Sequence, residues 1–360
     1  MMLTIYTLFN DPNIVNAVIQ RVLQTRKDTI YWQQYLDFRR TTTRVFKDYI
    51  GQVTGVMAGS INSRYGEKPI RERRNIGSGY GEIAYLGDRY QISVDRLSEL
   101  QDLIDKYNAA KPADQIAAMQ DIVNFIYDDY RQVLLAPHKR MDMVLGSMLM
   151  TGEATVKNKD DNAGGVNLLE IKLPFKFITP ETEAKTKFIT YLQQKVNELK
   201  SIYGTFPKMI MSRGTFVKNI IGSEEFGDKF KMQLTGNEMY LSTGLITSQL
   251  ASSIFTGIGL PAIEIKEDYV LDQTGKNVQI YADDRITLLP QDKIGYMRFH
   301  TPYEAVDGVP GRNYTQADGE MLISDYKDGN GRYLEYTAEW IPQITNPNLI
   351  VNFDLSTMNA

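Results

Sequence analysis

The strongest constraint in this 360-residue chain is a long stripe of apolar residues at helical spacing. Ile116, Met119, Val123, Ile126, Tyr130, Val133 and Leu134 recur close to the period of a one-faced helix. The stripe resumes at Met141, Val144, Leu145, Met148 and Leu149 and stops at Thr151-Gly152, where glycine suits a helix C-cap. Pro112 suits the first helical position. Pro137 is expected to end or kink the run, because proline removes an amide donor and clashes with the preceding turn. The spacing predicts a long, bent helical spine over 112–150.

Around that spine the pattern is mixed. Residues 14–23 are amphipathic, and Tyr31-Trp32-Gln33-Gln34-Tyr35-Leu36 is aromatic-rich without a sustained period, so 1–60 reads as an N-terminal arm that packs on something else. The apolar run 53–61, with Gly55 and Gly59, leads into a polar, charged segment that ends in Gly77-Ser78-Gly79-Tyr80-Gly81. Partial strand alternation follows over 82–87 and 89–94, and 61–95 therefore reads as an extended β-loop. After a polar turn at 158–165 comes a strand over 166–173. Thr179-Pro180, with Glu181 and Glu183, then supplies a cap and acidic first turn for a helix whose apolar face is Phe188, Tyr191, Leu192, Val196, Leu199 and Tyr203.

The remainder reads mainly as β, with a short helix at 215–221 and strands at 206–211, 262–266, 278–281, 285–289 and 295–299. A hairpin of 320–326 and 332–340, closed by Asp328-Gly329-Asn330-Gly331, precedes a terminal strand at 349–355. No internal repeat of roughly 20 to 50 residues is visible. The fold class expected is α+β, with a few helices packed on mostly antiparallel strands.

Composition excludes more than it assigns. The chain is 42% hydrophobic and 23% charged, which is the balance of a folded protein. With no cysteine, thiol nucleophiles, disulfides, thiolate zinc sites and iron–sulfur ligation are ruled out together. His138 and His300 stand in no metal-binding spacing, and each reads as an ordinary loop or surface histidine. A net charge of −4 argues against a dedicated DNA-binding protein. The apolar N-terminus stops at Asn10-Asp11-Pro12, too short for a signal peptide, and no stretch reaches the ~18 apolar residues of a membrane span. The reading is a soluble, non-secreted protein.

No motif survives as an active site. Gly77-Ser78-Gly79-Tyr80-Gly81 lacks the strand–loop–helix context of a dinucleotide site. Thr274-Gly275-Lys276 lacks the upstream glycine of a P-loop, and the acids Asp325 and Asp328 with Asn330 fit a turn better than a calcium loop. Asp283-Asp284 reads as a solvated turn, and there is no GxSxG. No catalytic, cofactor-binding or metal site is expected. What remains is the mixed-charge run Arg64, Glu67, Lys68, Arg71, Glu72, Arg73 and Arg74. Alternating Arg and Glu suit ion pairs between chains, with Arg fitted to bidentate carboxylate contacts. Exposed pairs are worth only about 0 to 1 kcal/mol each, so their role would be register and partner choice repeated over many interfaces.

This order of parts resembles the major capsid proteins of tailed bacteriophages, with the fold named after phage Hong Kong 97, and in particular their lambda-type (major capsid protein E) branch. Tyr269-Val270-Leu271-Asp272-Gln273-Thr274-Gly275-Lys276-Asn277, then Tyr281-Ala282-Asp283-Asp284-Arg285-Ile286-Thr287-Leu288-Leu289-Pro290 and Ile294-Gly295-Tyr296-Met297-Arg298-Phe299, are similar to that family's late strand pair and the short strand after it. Trp340-Ile341-Pro342-Gln343 and Thr345-Asn346-Pro347-Asn348-Leu349-Ile350-Val351 look like its terminal strand, and 143–157 resembles the end of its spine helix. Glu153 departs from the family, where lysine is common after the helix, and Pro137 interrupts a spine that is usually less broken.

The resemblance implies an N-terminal arm (1–60), an extended loop (61–95), a peripheral domain with the spine helix (96–175), an axial domain (176–319) and returning peripheral strands (320–360). It implies a subunit that self-assembles into pentamers and hexamers of a shell around double-stranded DNA, located in the virion and assembled in the host cytoplasm. Arg64, Lys68, Arg71, Glu72, Arg73 and Arg74 would touch a neighbouring subunit. The implied partners are further copies of the chain, a separate scaffolding protein, a portal, and decoration or head–tail proteins, with weak non-specific contact to packaged DNA and none to membrane. An encapsulin-type nanocompartment shell is the alternative within the fold. A soluble ligand-binding protein or enzyme is the alternative outside it.

Overall fold

The computed structural model describes residues 2–25, 30–50, 77–157, 167–181, 184, 186–223, 225–227, 247–271, 275–329 and 331–359. Helices α1 (Ile5–Asn10) and α2 (Pro12–Thr25) lead to strands β1 (Leu36–Arg40), β2 (Val45–Ile50), β3 (Gly77–Glu82) and β4 (Ala84–Ile92). Helices α3 (Val94–Ala109) and α4 (Gln115–Thr151) follow, then β5 (Glu153–Lys157), β6 (Asn167–Lys172), β7 (Lys176–Ile178), α5 (Phe188–Tyr203) and β8 (Lys208–Ser212). A short α6 (Arg213–Thr215) continues as a π-helical turn, Phe216–Ile221, and α7 is Ser248–Gly257. The rest is β9 (Ala262–Lys266), β10 (Tyr269–Leu271), β11 (Asn277–Gln279), β12 (Arg285–Leu289), β13 (Gly295–His300), β14 (Asn313–Gln316), β15 (Leu322–Asp328), β16 (Gly331–Ile344) and β17 (Val351–Asp354), closed by α8 (Ser356–Asn359). The architecture is α+β.

The described residues fall into two compact units, one drawn from 1–46, 81–142 and 296–343, the other from 47–80, 143–295 and 344–360. The first is organised on a sheet ordered β1-β13-β16-β15-β14, with β4 also paired to β16. The β15–β16 hairpin runs antiparallel from Leu322↔Thr337 to Asp328↔Gly331, as its turn residues foretell. Segment 84–92, part of the region read from sequence as an extended loop, pairs with β16 from Trp340↔Ala84 to Arg332↔Ile92.

Aromatic packing fills the core of this unit. The His138 ring stacks on Trp32 (5.7 Å between centroids, 6° between planes) and lies 4.8 Å from Trp340. Phe38 meets Trp340 edge-on and Phe299 at 90°. Edge-to-face pairs of this kind add about 0.5 to 1.5 kcal/mol to the area they bury. Trp340 Nε1 donates to the Gly319 carbonyl at 2.9 Å, and Asp142 Oδ1 accepts from the Trp32 amide at 2.8 Å. The aromatic stretch at 31–36 therefore packs within its own unit, with Tyr31, Trp32 and Tyr35 buried.

Several expectations need correction. His138 is fully buried inside α4, where its ring packs between the indoles of Trp32 and Trp340. His300 lies on β13, three-quarters buried at its side chain, against Glu339. Pro137 does not end α4, which continues past it as one long helix, as the spine reading has it. Proline forfeits one backbone bond there, while the buried side chains of Val133, Leu134 and Met141 on either side hold the helix down. Helix α4 also starts at Gln115 rather than Pro112, which sits in the preceding turn. Thr179-Pro180 does not cap α5. Glu225, distant in sequence, accepts from the amides of Ile189 (2.8 Å) and Thr190 (3.0 Å), satisfying the free donors of the first turn through a tertiary contact.

The second unit is built on a sheet ordered β7-β17-β12-β8-β9, in which β8–β9 and β17–β7 are parallel and the β12 pairings antiparallel. The core joins this sheet to α5 and α7 through Phe188, Leu192, Val196, Met209, Phe255 and Phe353. Two smaller ribbons, β5–β6 and β10–β11, belong to the same unit. In the last turns of α4, Gly146 lies against residue 280 so closely that an added Cβ would stand 2.5 Å from the Ile280 carbonyl oxygen.

That approach makes a test of the packing. Gly146→Ala gains helix propensity of about 1 kcal/mol in isolation, but the overpacking it forces costs typically ~1 to 3 kcal/mol. Urea unfolding is expected to show a net loss of stability, and an unchanged or raised midpoint would contradict the close approach.

Candidate functional site

The residues singled out for contact between chains, Arg64, Lys68, Arg71, Glu72, Arg73 and Arg74, lie outside the described residues. The structure does describe the strands on either side of them. Strands β2 and β3 pair with each other as a two-stranded ribbon, and the Ile83 amide donates to the Arg44 carbonyl at 3.0 Å where the ribbon begins. The segment 51–76 is thereby bracketed by a pair of bonded strands.

Arg44 anchors that junction to the sheet. Its guanidinium makes a two-pronged contact with Glu339 on β16, Nε to Oε2 at 3.0 Å and the terminal nitrogen to Oε1 at 2.6 Å. The Glu339 side chain is 3% exposed, and His300 Nδ1 lies 2.8 Å from the same carboxylate. A buried carboxylate needs paired partners to stay charged, and here two cationic or hydrogen-bonding groups converge on it. The pairing raises the Arg44 pKa, chiefly through its hydrogen bond to Glu339. Nearby, Arg40 pairs with Glu320 at 3.1 Å and donates to the Thr301 hydroxyl at 3.0 Å. Arg44 and His300 thus converge on Glu339, while Arg40 is held separately by Glu320.

Near this polar cluster several large apolar side chains are exposed. Val306 is 82% exposed and Tyr303 61% exposed, and Val309 and Tyr85 are exposed as well. Tyr85 reaches Glu304 through its hydroxyl at 3.3 Å, and Tyr303 reaches Asp307 at 2.9 Å. The loop is internally bonded, so these side chains are displayed by an ordered turn. Sequence reasoning overlooked them, although Tyr303, Val306 and Val309 recur at a spacing of three.

A third cluster lies along the β15–β16 hairpin. Tyr326 stacks on Tyr333, with the guanidinium of Arg89 over Tyr333 at 3.7 Å and that of Arg312 over Tyr326 at 3.8 Å. Arg332 pairs with Asp325 at 2.7 Å and covers the Phe9 ring of α1 at 4.0 Å. Burial pushes the Asp325 carboxyl up to about 6 against the lowering effect of Arg332. Asp325, expected in a turn, sits in a strand because its charge is met there by a cross-strand arginine.

The acids Asp283 and Asp284 do form a turn. It is tied to neighbouring structure, with Ser212 donating to Asp283 at 2.5 Å and the Asp284 amide donating to Thr215 at 2.8 Å. Among the described residues no group of three or more His, Cys, Asp or Glu is placed to hold a metal ion, and no helix is long and apolar enough to cross a membrane.

The anchoring role of Glu339 is open to measurement. Glu339→Ala removes the partner of both Arg44 and His300, and hydrogen exchange at the Ile83 amide is expected to speed up about tenfold, or ~1.4 kcal/mol of local opening. Amides of α5 should be unaffected. Unchanged exchange at Ile83 would show that the junction is held by other contacts.

No protein-family model matches the chain, and no curated protein matches it. Among solved structures it is similar to a phage-related protein from Bordetella bronchiseptica, at 8% identity and a TM-score of 0.51, over 96% of this chain and 98% of that one. A protein assigned as the capsid protein of an Escherichia coli prophage aligns at 11% identity and a TM-score of 0.49, over 78% of this chain and 79% of that one. The capsid protein of Myoviridae phage XM1 aligns at 9% identity and a TM-score of 0.41, over 90% of each chain. At such identity the likeness is one of fold, and the chain shares its α+β fold, nearly end to end, with the Bordetella bronchiseptica protein.

Proposed function

We propose that this chain is the major capsid protein of a tailed bacteriophage, a structural subunit whose copies form pentamers and hexamers of a shell around double-stranded DNA. The observation that carries the reading is the fold shared with a phage-related protein over 96% of the chain, in a sequence whose order of parts independently resembles capsid subunits. The Hong Kong 97-type division into arm, extended loop, peripheral domain and axial domain belongs to the same proposal. So does residence in the virion, with a separate scaffolding protein and a portal as assembly partners.

In that setting the β2–β3 ribbon is the root of the extended loop, and Arg64, Lys68, Arg71, Glu72, Arg73 and Arg74 are the groups that meet a neighbouring subunit. Individual exposed ion pairs contribute little, about 0 to 1 kcal/mol each. A closed shell repeats every pair at each symmetry-related interface, so small terms decide which arrangement forms. A net charge of −4 suits a container that must fill with DNA and release it, because neutralised phosphates bind tightly and in a salt-dependent way.

Charge reversal at three of these positions tests the assignment. Arg71→Glu, Arg73→Glu and Arg74→Glu together are expected to abolish large assemblies in sedimentation velocity while circular dichroism stays that of the folded subunit. Particles of normal size from the triple variant would remove the loop from the assembly interface.

A further inference from the structure

Helix α1 is tied down at its two ends and by one ring. The Leu3 amide donates to Asn108 Oδ1 at 2.9 Å, and Asn108 Nδ2 donates back to the Leu3 carbonyl at 2.8 Å, joining the entry of α1 to α3. At the far end the Asn313 side chain on β14 donates to that of Asn10. Next to it the buried Phe9 ring lies under the Arg332 guanidinium at 4.0 Å. Elsewhere α1 borders a cleft, lined by its Ile5 and Tyr6 and by Asp325 and Lys327 of β15.

Arg332 connects this helix to a buried acid. It donates to Asp325 Oδ2 at 2.7 Å, and the two side chains are 11% and 6% exposed. Asp325 Oδ1 is closed to solvent and has no hydrogen-bond partner among the described residues. One oxygen alone therefore meets the charge, an expensive arrangement for a buried carboxylate. The groups around it do not make up the difference. Arg332 faces it from β16, Tyr130 from α4 with Asp129 beside that residue, and Asn313 stands opposite on β14. Tyr130 is also buried with its hydroxyl unmet, and burial, reinforced by Asp325, pushes its phenol well above the ordinary value, so it stays neutral. Burial pushes Asp129 upward too, but Arg96 holds it at 2.9 Å. Arg312 is taken by Glu335 at 3.2 Å, and Lys327 is exposed. The histidines sit on other partners, His138 on Trp32 and His300 on Glu339.

We infer that α1 is a pH-sensitive clasp: docked over Arg332 it keeps water from Asp325, so a proton taken up by Asp325 tightens the helix and loss of that proton loosens it. Lifting α1 uncovers the guanidinium and, behind it, the carboxylate, which then gains the hydration that its buried oxygen lacks. Burial pushes the docked carboxyl up to about 6, whereas a hydrated aspartate lies near ~3.9. The docked state thus binds the proton more readily than the open one. Its advantage is full below the hydrated value and is lost as pH rises through the docked value. Mild acid holds α1 down, and neutral pH lets it open more often. Every group involved belongs to the first unit, so the device needs no second copy of the chain.

Amide hydrogen exchange of the full chain, read by mass spectrometry over 3–10 and corrected for the intrinsic rate, tests this between about pH 5 and about pH 7. Protection of α1 is expected to be severalfold higher at the lower pH, with about tenfold as the ceiling if opening hydrates Asp325 completely. Asp325→Asn, a neutral side chain of the same shape, should keep the high protection at both pH values. Protection that is flat, or that falls in acid, would overturn the inference, as would a pH dependence that survives unchanged in Asp325→Asn. Should that variant fail to fold, the direction of the change in the natural chain decides alone.

Discussion

Strand β16 has to bury both of its faces, and the two faces carry opposite chemistry. Side chains alternate along a strand, so Leu334, Tyr336, Ala338 and Trp340 share one face while Glu335, Thr337 and Glu339 share the other. The first set is apolar, and Trp340 closes on His138 and Phe38. The second is polar and buried enough that each carboxylate must find a cation: Arg312 for Glu335, Arg44 for Glu339. A slip of one residue in register would place Glu339 in the aromatic core and Trp340 among the arginines. The requirement fixes β16 against β4 and β15, and through Arg44 it fixes where the β2–β3 ribbon leaves the sheet.

On the proposed function, that arrangement gives a physical account of how the subunit carries a contact loop without losing its own stability. The loop's root is held by a two-pronged pair to a buried carboxylate, the kind of contact in which arginine cannot be replaced by lysine without loss of geometry. Stability lies in the aromatic and aliphatic cores of the two units, and on the proposed function the mixed-charge positions 64–74 would serve partner choice. The N-terminal segment follows the same division of labour. Leu8 and Phe9 are buried, whereas Tyr6 stays outward at the edge of the cleft lined by Lys327 and Arg332.

Much of this was legible in the sequence because it depends on local periodicity. The α4 stripe, the amphipathic α2, the β15–β16 hairpin with its Asp-Gly-Asn-Gly turn and the strand at 262–266 all follow from spacing that neighbouring residues set. Helices α3 and α7 were passed over although Leu97, Leu100, Ile104 and Tyr107 in the first, and Ala251, Ile254 and Phe255 in the second, have helical spacing; short stripes among many polar residues are easily missed. What could not be read locally is what distance in the chain supplies. Glu225 caps a helix that begins 37 residues earlier, His138 is buried by an indole more than a hundred positions away, and Pro137 is tolerated because packing holds both sides of it. The Arg44–Glu339–His300 contact joins positions with no sequence relation at all, so the anchor of the ribbon had no signature to find.

On the proposed function, copies of this chain build a closed shell. Electron microscopy of the full chain, purified after co-expression with the scaffolding protein that the proposal requires, is the test. Closed shells of uniform diameter are expected, or rings of five and six subunits where assembly is arrested. A subunit that stays monomeric in the presence of that partner would contradict it.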